Sequence, residues 1–467
     1  PAVIIGTLAV LATYLLSQSL INLSELTNKK YVQIFPLVAA ILLTFSPWHI
    51  QASRSALEAN LTTFFTPMLL WSWLNGIKQL SSGNKISIST QKWWVISAIF
   101  IGINLYTYHA ARAFTLLLLP IMTFWTLKIL LKKHNYPKQL VIILKKTSLP
   151  ILVVLLFILP MLASLINGSS ARGLDVAIFN PTDKWEAVSQ NRHEAVLNGL
   201  PYNIARLINN KLTFTFRRFI INYTTYLSPI FLFAEGAKEA TYGINPGRGL
   251  LYWIELPIIL FALIFIIKNW NIPSKNLFNL KIILFIILIS VIPAALSKGD
   301  GFAANRALTL LPFLQIFTAY GVIEIIQTLN SRFPSFFASN IIIGMIAIYI
   351  ISSVTFFINY KYSAPNYHAK GMSYGFKQAI EKLKNIDYRQ QNIIVSRNFN
   401  APHIFFMFYL KMDPNWVQTH ALNWNTYQDL GFSFIDQQPE YSLGNITVRK
   451  INPEDIYLKN TLIIGKP

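Results

Sequence analysis

Long apolar runs broken by short polar ones dominate the chain. Runs at 1–21, 34–48, 61–77, 93–108, 113–131 and 149–166 each approach the roughly 20 residues a helix needs to cross a bilayer. Four more follow a long polar gap, at 250–267, 282–296, 307–326 and 341–358. In hydrocarbon every backbone N–H must be satisfied internally, so the runs predict helices and about ten transmembrane spans. Proline falls inside several of them, at Pro67, Pro120, Pro160, Pro257, Pro293 and Pro312. Packed neighbours re-satisfy the carbonyls that a proline frees, so kinked packing suffices to explain these positions.

Positive charge gathers in alternate loops: Lys29 and Lys30; Lys78, Lys85 and Lys92; Lys128, Lys132, Lys133, Lys138, Lys145 and Lys146; Lys268, Lys275 and Lys281; then Arg332. The positive-inside rule assigns those loops to the cytoplasm. The opposite short loops hold only Arg54, Arg112, Lys298 and Arg306. This predicts a transmembrane domain over 1–359, with an outer loop region at 167–249, and a non-cytoplasmic domain over 360–467. In that domain 375–383 has helical period, 392–396 reads as a strand and 401–410 as an aromatic-rich helix. Further strands are expected at 431–436 and 445–451, which together make a small α/β cap. It shows no Gly-rich phosphate loop, so no nucleotide is assigned to it.

Composition sharpens the picture. The 467 residues carry 40 Lys+Arg against 19 Asp+Glu, a net charge of +21, yet only 13% are charged while 53% are hydrophobic and 14% aromatic. Soluble domains run at about 25% charged, so a soluble enzyme, a disordered chain and a coiled coil are all poor readings. The expectation is an all-α polytopic protein of the plasma membrane, its first partner the lipid bilayer. The loops account for the basic excess, so nucleic acid is not an expected partner. Cysteine is absent, which removes disulfides and thiolate metal sites. The chain opens on Pro1 inside an apolar run, from which an upstream segment is expected.

In so apolar a chain the informative residues are ionisable ones at helix ends or membrane depth, where each is costly unless paired or solvated. Three clusters stand out. In 46–60 (SPWHIQASRSALEAN) Arg54 and Glu58 are spaced for one helical face; they read either as an ion pair capping the next span or as an anion site with Glu58 supporting Arg54. In 106–112 (YTYHAAR) His109 and Arg112 join two spans with almost no loop, beside Tyr106 and Tyr108. An aromatic belt covers the tyrosines but covers a His and an Arg together less well. In 297–306 (SKGDGFAANR) Lys298, Asn305 and Arg306 flank a glycine-bearing loop that is expected to feed directly into a helix, whose amides would favour an anion. A tight turn with a solvated Lys and Asp explains the same residues. All three clusters fall on one expected face of the membrane.

Several chemistries lack their parts. There is no Asp-x-Asp motif, and His49, His109, His134, His193, His368, His403 and His420 have no metal-ligand spacing. No metal and no other cofactor are expected. Gly-x-Ser-x-Gly and phosphate-binding loops are missing as well.

The motif at 46–60 resembles the signature after the third span of bacterial dolichyl-phosphate-mannose protein mannosyltransferase-like membrane proteins, of glycosyltransferase family 39 with the GT-C fold. YTYHAARAF (106–114) resembles the next signature. So do LSPIFLFAEG (227–236) with GLLYW (249–253), and IPAALSK (292–298) with Asn305-Arg306-Ala307. Pieces at 374–380 and 405–414 are similar too, so the resemblance covers most of the chain. It implies transfer of a mannose-like hexose or a pentose from a polyprenyl-phosphate donor to an acceptor hydroxyl outside the cytoplasm, without a metal. The acceptor stays open between protein, lipid and glycan. An acidic general base on the first outer loop is implied, which in this family precedes the segment opened by Pro1; Glu58 is supporting. Arg54, His109, Arg112, Lys298, Asn305 and Arg306 would hold the departing phosphate. Arg192, Glu235, Tyr106 and Tyr108 are expected at the acceptor or sugar, and Asp175, Asp183, Glu186 and Glu239 are further candidates in the outer loop.

Two other readings use the same residues. A flippase or transporter of a lipid-linked saccharide would show internal repeats and midplane breaks, and no repeat is evident here. A surface-polysaccharide ligase or polymerase would differ only in its acceptor.

Overall fold

The computed structural model describes all residues except 23–28, 83–87, 134–138, 167–175, 181–184, 239–247, 271–277, 300, 370, 422–423, 425–426, 428–429, 431, 433–434 and 466–467. It divides into two compact units, Pro1–Ala364 and Pro365–Pro467.

Every apolar run of the first unit contains a helix. In chain order the helices are α1 (Ala2–Asn22), α2 (Lys29–Phe45), α3 (Pro47–Arg54), α4 (Thr62–Ser82), α5 (Ile88–Leu105), α6 (His109–Lys133) and α7 (Gln139–Ile166). The polar gap holds α8 (Glu186–Leu197), α9 (Tyr202–Ile208) and α10 (Lys211–Tyr226). Then come α11 (Glu255–Lys268), α12 (Phe278–Ser290), α13 (Phe313–Arg332) and α14 (Ser335–Tyr362). Among the described residues five helices are long and apolar enough to cross a membrane, or six when α2 and α3, bent by 58° at Ser46, count as one span. The chain is a multi-pass membrane protein. The other runs fall short in length or apolarity: α11 has 14 residues, about 21 Å at 1.5 Å per residue, against ~30 Å of hydrocarbon.

Small residues let these helices approach. Ala9, Ala12 and Ala39 have no solvent exposure, and a Cβ on Gly6 would collide with Ser53 of α3. Where lipid is as apolar as leucine, such close contact is what drives helices together. Asn104 donates from Nδ2 to Thr66 Oγ1 at 3.1 Å and to Thr115 Oγ1 at 2.8 Å, tying α4, α5 and α6.

The second unit is a small α/β fold. Strands β1 (Asn392–Ser396), β2 (Glu440–Leu443), β3 (Ile446–Arg449) and β4 (Thr461–Ile464) form a sheet of order β2-β3-β1-β4. Strand β1 runs parallel to β3 and β4, while β2 is antiparallel to β3. Helices α15 (Phe376–Leu383), α16 (Pro402–Tyr409) and α17 (Pro414–His420) complete it. Phe376, Ile380, Ile393, Val395, Phe406 and Val448 form its core.

Two differences from the sequence reading stand out here. The strand expected at 431–436 is not formed where it can be seen: Ile435–Gln437 is a 3-10 turn. Positions 431, 433 and 434 lie outside the described residues. Strands β2 and β4 were unexpected, four residues each and too short for alternation to register.

Candidate functional site

Pro47 opens α3, where its missing N–H costs nothing, and the helix ends at Arg54. Ala56 then takes φ +53°, Leu57 is extended, and Glu58 begins a 3-10 turn, Glu58–Leu61. This break removes the shared helical face expected for Arg54 and Glu58. Among the described residues no ion pair joins them; the Arg54 guanidinium lies 5.3 Å from the centre of the Tyr360 ring. Glu58 therefore does not support Arg54 in the way the spacing implied. Arg54 instead lines a groove of about 620 Å³ between α1, α2 and α3, with Tyr14, Thr44, His49 and Ser53. None of His109, Arg112, Lys298 or Arg306 lines that groove.

The second cluster sits in the turn between α5 and α6. The last carbonyls of a helix lack intrahelical partners, and Arg112 Nε answers one of them by donating to Leu105 O at 3.0 Å. His109 is exposed at the first position of α6. Tyr106 faces elsewhere: its hydroxyl donates to Phe157 O of α7 at 2.8 Å, and its ring packs on Phe157. Tyr106 thus ties the turn between α5 and α6 to α7. Tyr108 turns the other way, and its hydroxyl accepts from Asn305 Nδ2 at 3.3 Å.

Asn305 belongs to the third cluster, which is built from backbone carbonyls held by side chains. Asn222 of α10 donates to Ala295 O at 3.2 Å and Ser297 O at 3.1 Å. Arg218 Nη2 donates to Gly299 O at 2.8 Å, and Arg306 Nη1 donates to Lys298 O. The Lys298 amide donates to Val176 O at 2.7 Å, beside a bridge between Ala177 and Ser297. Gly299 at φ +106° and Gly301 at φ +86° permit the turns. The loop does not feed directly into a helix, as the sequence reading expected. A 3-10 turn, Leu308–Leu310, intervenes, and α13 starts only at Phe313. Pro312 accounts for the delay, since it disfavours helical geometry in the residue before it. The helix N-terminus expected directly after this loop is therefore not formed there.

The structure thus brings Tyr108, Asn305, Arg306 and Lys298 into one region and leaves Arg54 in its own groove. Arg112 and Arg306 each bond a carbonyl through one nitrogen, while a guanidinium has five N–H donors. Asn305 Oδ1 is buried without a partner among the described residues. A buried acceptor left unmade is costly, and a ligand hydroxyl could satisfy it. Glu235 pairs with Lys238 at 3.6 Å, both about half exposed, and Lys238 lies 4.0 Å from the Phe302 ring, so Glu235 borders the same loop. Arg192 does not: its Nε and Nη2 clasp Asn209 O at 3.2 and 3.1 Å, fastening α8 to the end of α9. Glu186 opens α8 and reaches Gln190. Asp175, Asp183, Glu239 and Asp300 lie outside the described residues.

Sequence reasoning missed Arg218 and Asn222, which carry the third loop. The available signal was polar side chains at helical spacing in 211–226 that alternate with apolar ones. Among the described residues no group of three or more His, Asp and Glu side chains could hold a metal ion.

No protein-family model matches the chain and no curated protein matches it. Among solved structures the chain is similar to the archaeal oligosaccharyltransferase AglB of Archaeoglobus fulgidus, described in complex with an inhibitory peptide and a dolichol-phosphate. Identity is 16% and the TM-score is 0.38, over 88% of this chain and 48% of that one. The chain therefore spans about half the length of the structure it matches.

Proposed function

We propose that the chain is a membrane glycosyltransferase that moves a mannose-like hexose or a pentose from a polyprenyl-phosphate donor to an acceptor hydroxyl. The observation that carries this reading is the Asn305–Tyr108 hydrogen bond, which joins two motif clusters that hold His109 and the cations Arg112, Lys298 and Arg306. When the sugar departs, charge develops on the lipid phosphate, and donors fixed in advance around that position lower the barrier. Charge-assisted bonds from a guanidinium to phosphate are the strong ones and are often bidentate. Asn305 and Tyr108 add neutral groups suited to a sugar or acceptor hydroxyl, and Glu235 is a carboxylate beside the loop.

Membranes containing the full-length protein, given labelled polyprenyl-phosphate sugars, test the reading. Label should leave the lipid and appear on a protein, lipid or glycan acceptor. Arg306→Ala should depress transfer strongly and Arg306→Lys less so. Label that stays on the lipid with every acceptor class, or an Arg306→Ala variant with unchanged transfer, would reject it.

A further inference from the structure

Helix α10 is inverted relative to a helix on a water-soluble surface. Tyr226 of this helix joins the apolar core, but two further residues it turns toward the protein are polar: Asn222, 1% exposed, and Arg218 bond the carbonyls of Ala295, Ser297 and Gly299. The residues it turns outward are large and apolar. Leu212, Phe216 and Ile220 recur every four positions at 79%, 65% and 42% exposure, which makes a single stripe. On the next sector Thr213, Arg217 and Thr224, spaced by four and seven, form a polar stripe. The helix therefore has a side bonded to protein, an apolar stripe and a polar stripe.

Its position gives the apolar face an occupant. The Tyr223 hydroxyl donates to Leu288 O at 2.8 Å, two residues before the apolar helix α12 ends at Ser290. The bond places α10 beside the C-terminal end of α12, a 13-residue apolar helix whose Phe285 and Leu288 are exposed by 48% and 40%. The preceding helix α9 adds the exposed Leu207 and Ile208, at 72% and 55%, which line a cavity with Thr213 and Arg217. Charge points the same way: Tyr202–Tyr226 contains Arg206, Lys211, Arg217 and Arg218 and no Asp or Glu. An apolar face edged by cations is what binds an anionic lipid surface in its plane.

We propose that α10 lies in the membrane–water interface, with Leu212, Phe216 and Ile220 among the lipid chains and Arg217 at the anionic headgroups. A helix so placed ties the loop at 295–299 to the bilayer surface through Asn222 and Arg218. The proposal stands independently of any reaction the chain performs.

The absence of native cysteine makes the test direct. Leu212→Cys, Phe216→Cys, Ile220→Cys and Thr224→Cys are each made in the full chain, labelled with an environment-sensitive fluorophore, and reconstituted in vesicles of phosphatidylcholine and phosphatidylglycerol. Labels at 212, 216 and 220 should be quenched by lipids spin-labelled near the headgroup more than by aqueous iodide, and the label at 224 should show the reverse order. Iodide quenching at all four positions would overturn the proposal by placing the stripe in water. Shielding of 212, 216 and 220 from both quenchers would overturn it too, because protein would then cover the face. Using three separate sites protects the result against one substitution that fails to fold.

Discussion

Asn305 donates a hydrogen bond to the hydroxyl of Tyr108 across 197 residues of sequence. It is the point where the turn between α5 and α6 meets the loop that precedes α13. Both segments are otherwise held from behind, by Arg112 on Leu105 O and by Arg306 on Lys298 O. The pair therefore links the segment that carries Arg112 to the segment that carries Arg306.

A neutral bond of this kind contributes about 0.5–1.5 kcal/mol net. A double-mutant cycle of Tyr108→Phe and Asn305→Ala, read by thermal unfolding in detergent, should return a coupling of about that size. Additive losses would show that the two residues act separately.

The segments 227–236 and 249–253 interlock through backbone. The Leu251 amide donates to Leu232 O at 2.8 Å, and a Cβ on Gly249 would come within 2.3 Å of Phe233 Cα. Backbone cannot yield as the tip of a flexible side chain can, so Gly249→Ala should destabilise by about 1–3 kcal/mol, the usual scale of overpacking. Gly344, which has nothing within 4 Å of its added Cβ, is the control. Equal melting temperatures for Gly249→Ala and Gly344→Ala would contradict the close approach.

In the second unit His403 is buried, and its Nδ1 lies 2.8 Å from the Tyr441 hydroxyl. Burial pushes its pKa below the usual histidine value, with Asp436 opposing the shift. The folded state then binds the proton less readily than the unfolded state. Stability from this group is fully present above about pH 6.5, the unfolded value, and is lost as pH falls through the lower folded value. Hydrogen exchange at β1, Asn392–Ser396, should quicken as pH drops below that point once intrinsic exchange is corrected for. His403→Leu should flatten the dependence; an unchanged slope would assign it to another group.

Legibility in the sequence followed the strength of the local signal. Each long apolar run became a helix because hydrocarbon permits little else, and β1 was readable at its full length. What apolarity does not encode is how a helix ends. Arg54 and Glu58 have the spacing of one face, yet Ala56 breaks the turn between them; Asn305 and Arg306 precede an apolar run, yet Pro312 holds the helix off until Phe313. Residues α8–α10 read only as a polar gap because α10 turns its apolar side outward, which a search for amphipathic helices around a core treats as noise. Of the site residues, Arg112, Arg306 and Arg192 were visible as costly charges, but each first serves a backbone carbonyl. No sequence spacing states which carbonyl needs a donor. Asn222 and Arg218 were missed for the same reason.

The contacts of Arg54 give the last prediction. An i, i+4 ion pair with Glu58 would contribute roughly 0.3–0.5 kcal/mol on a continuous helix, but α3 ends at Arg54 and Glu58 stands in the following 3-10 turn. The guanidinium lies over Tyr360 at the end of α14, a contact that contributes about 0.5–1 kcal/mol at an exposed site. Two double-mutant cycles separate the partners. Arg54→Ala with Tyr360→Leu should show a coupling of that order, whereas Arg54→Ala with Glu58→Gln should be additive within error. High salt provides an independent check: screening weakens an exposed ion pair, so stability changes on Glu58→Gln should be the same at low and high ionic strength. A measurable Arg54–Glu58 coupling that vanishes in salt would mean the helix continues through Ala56 in the membrane, and the left-handed turn there would have to be abandoned.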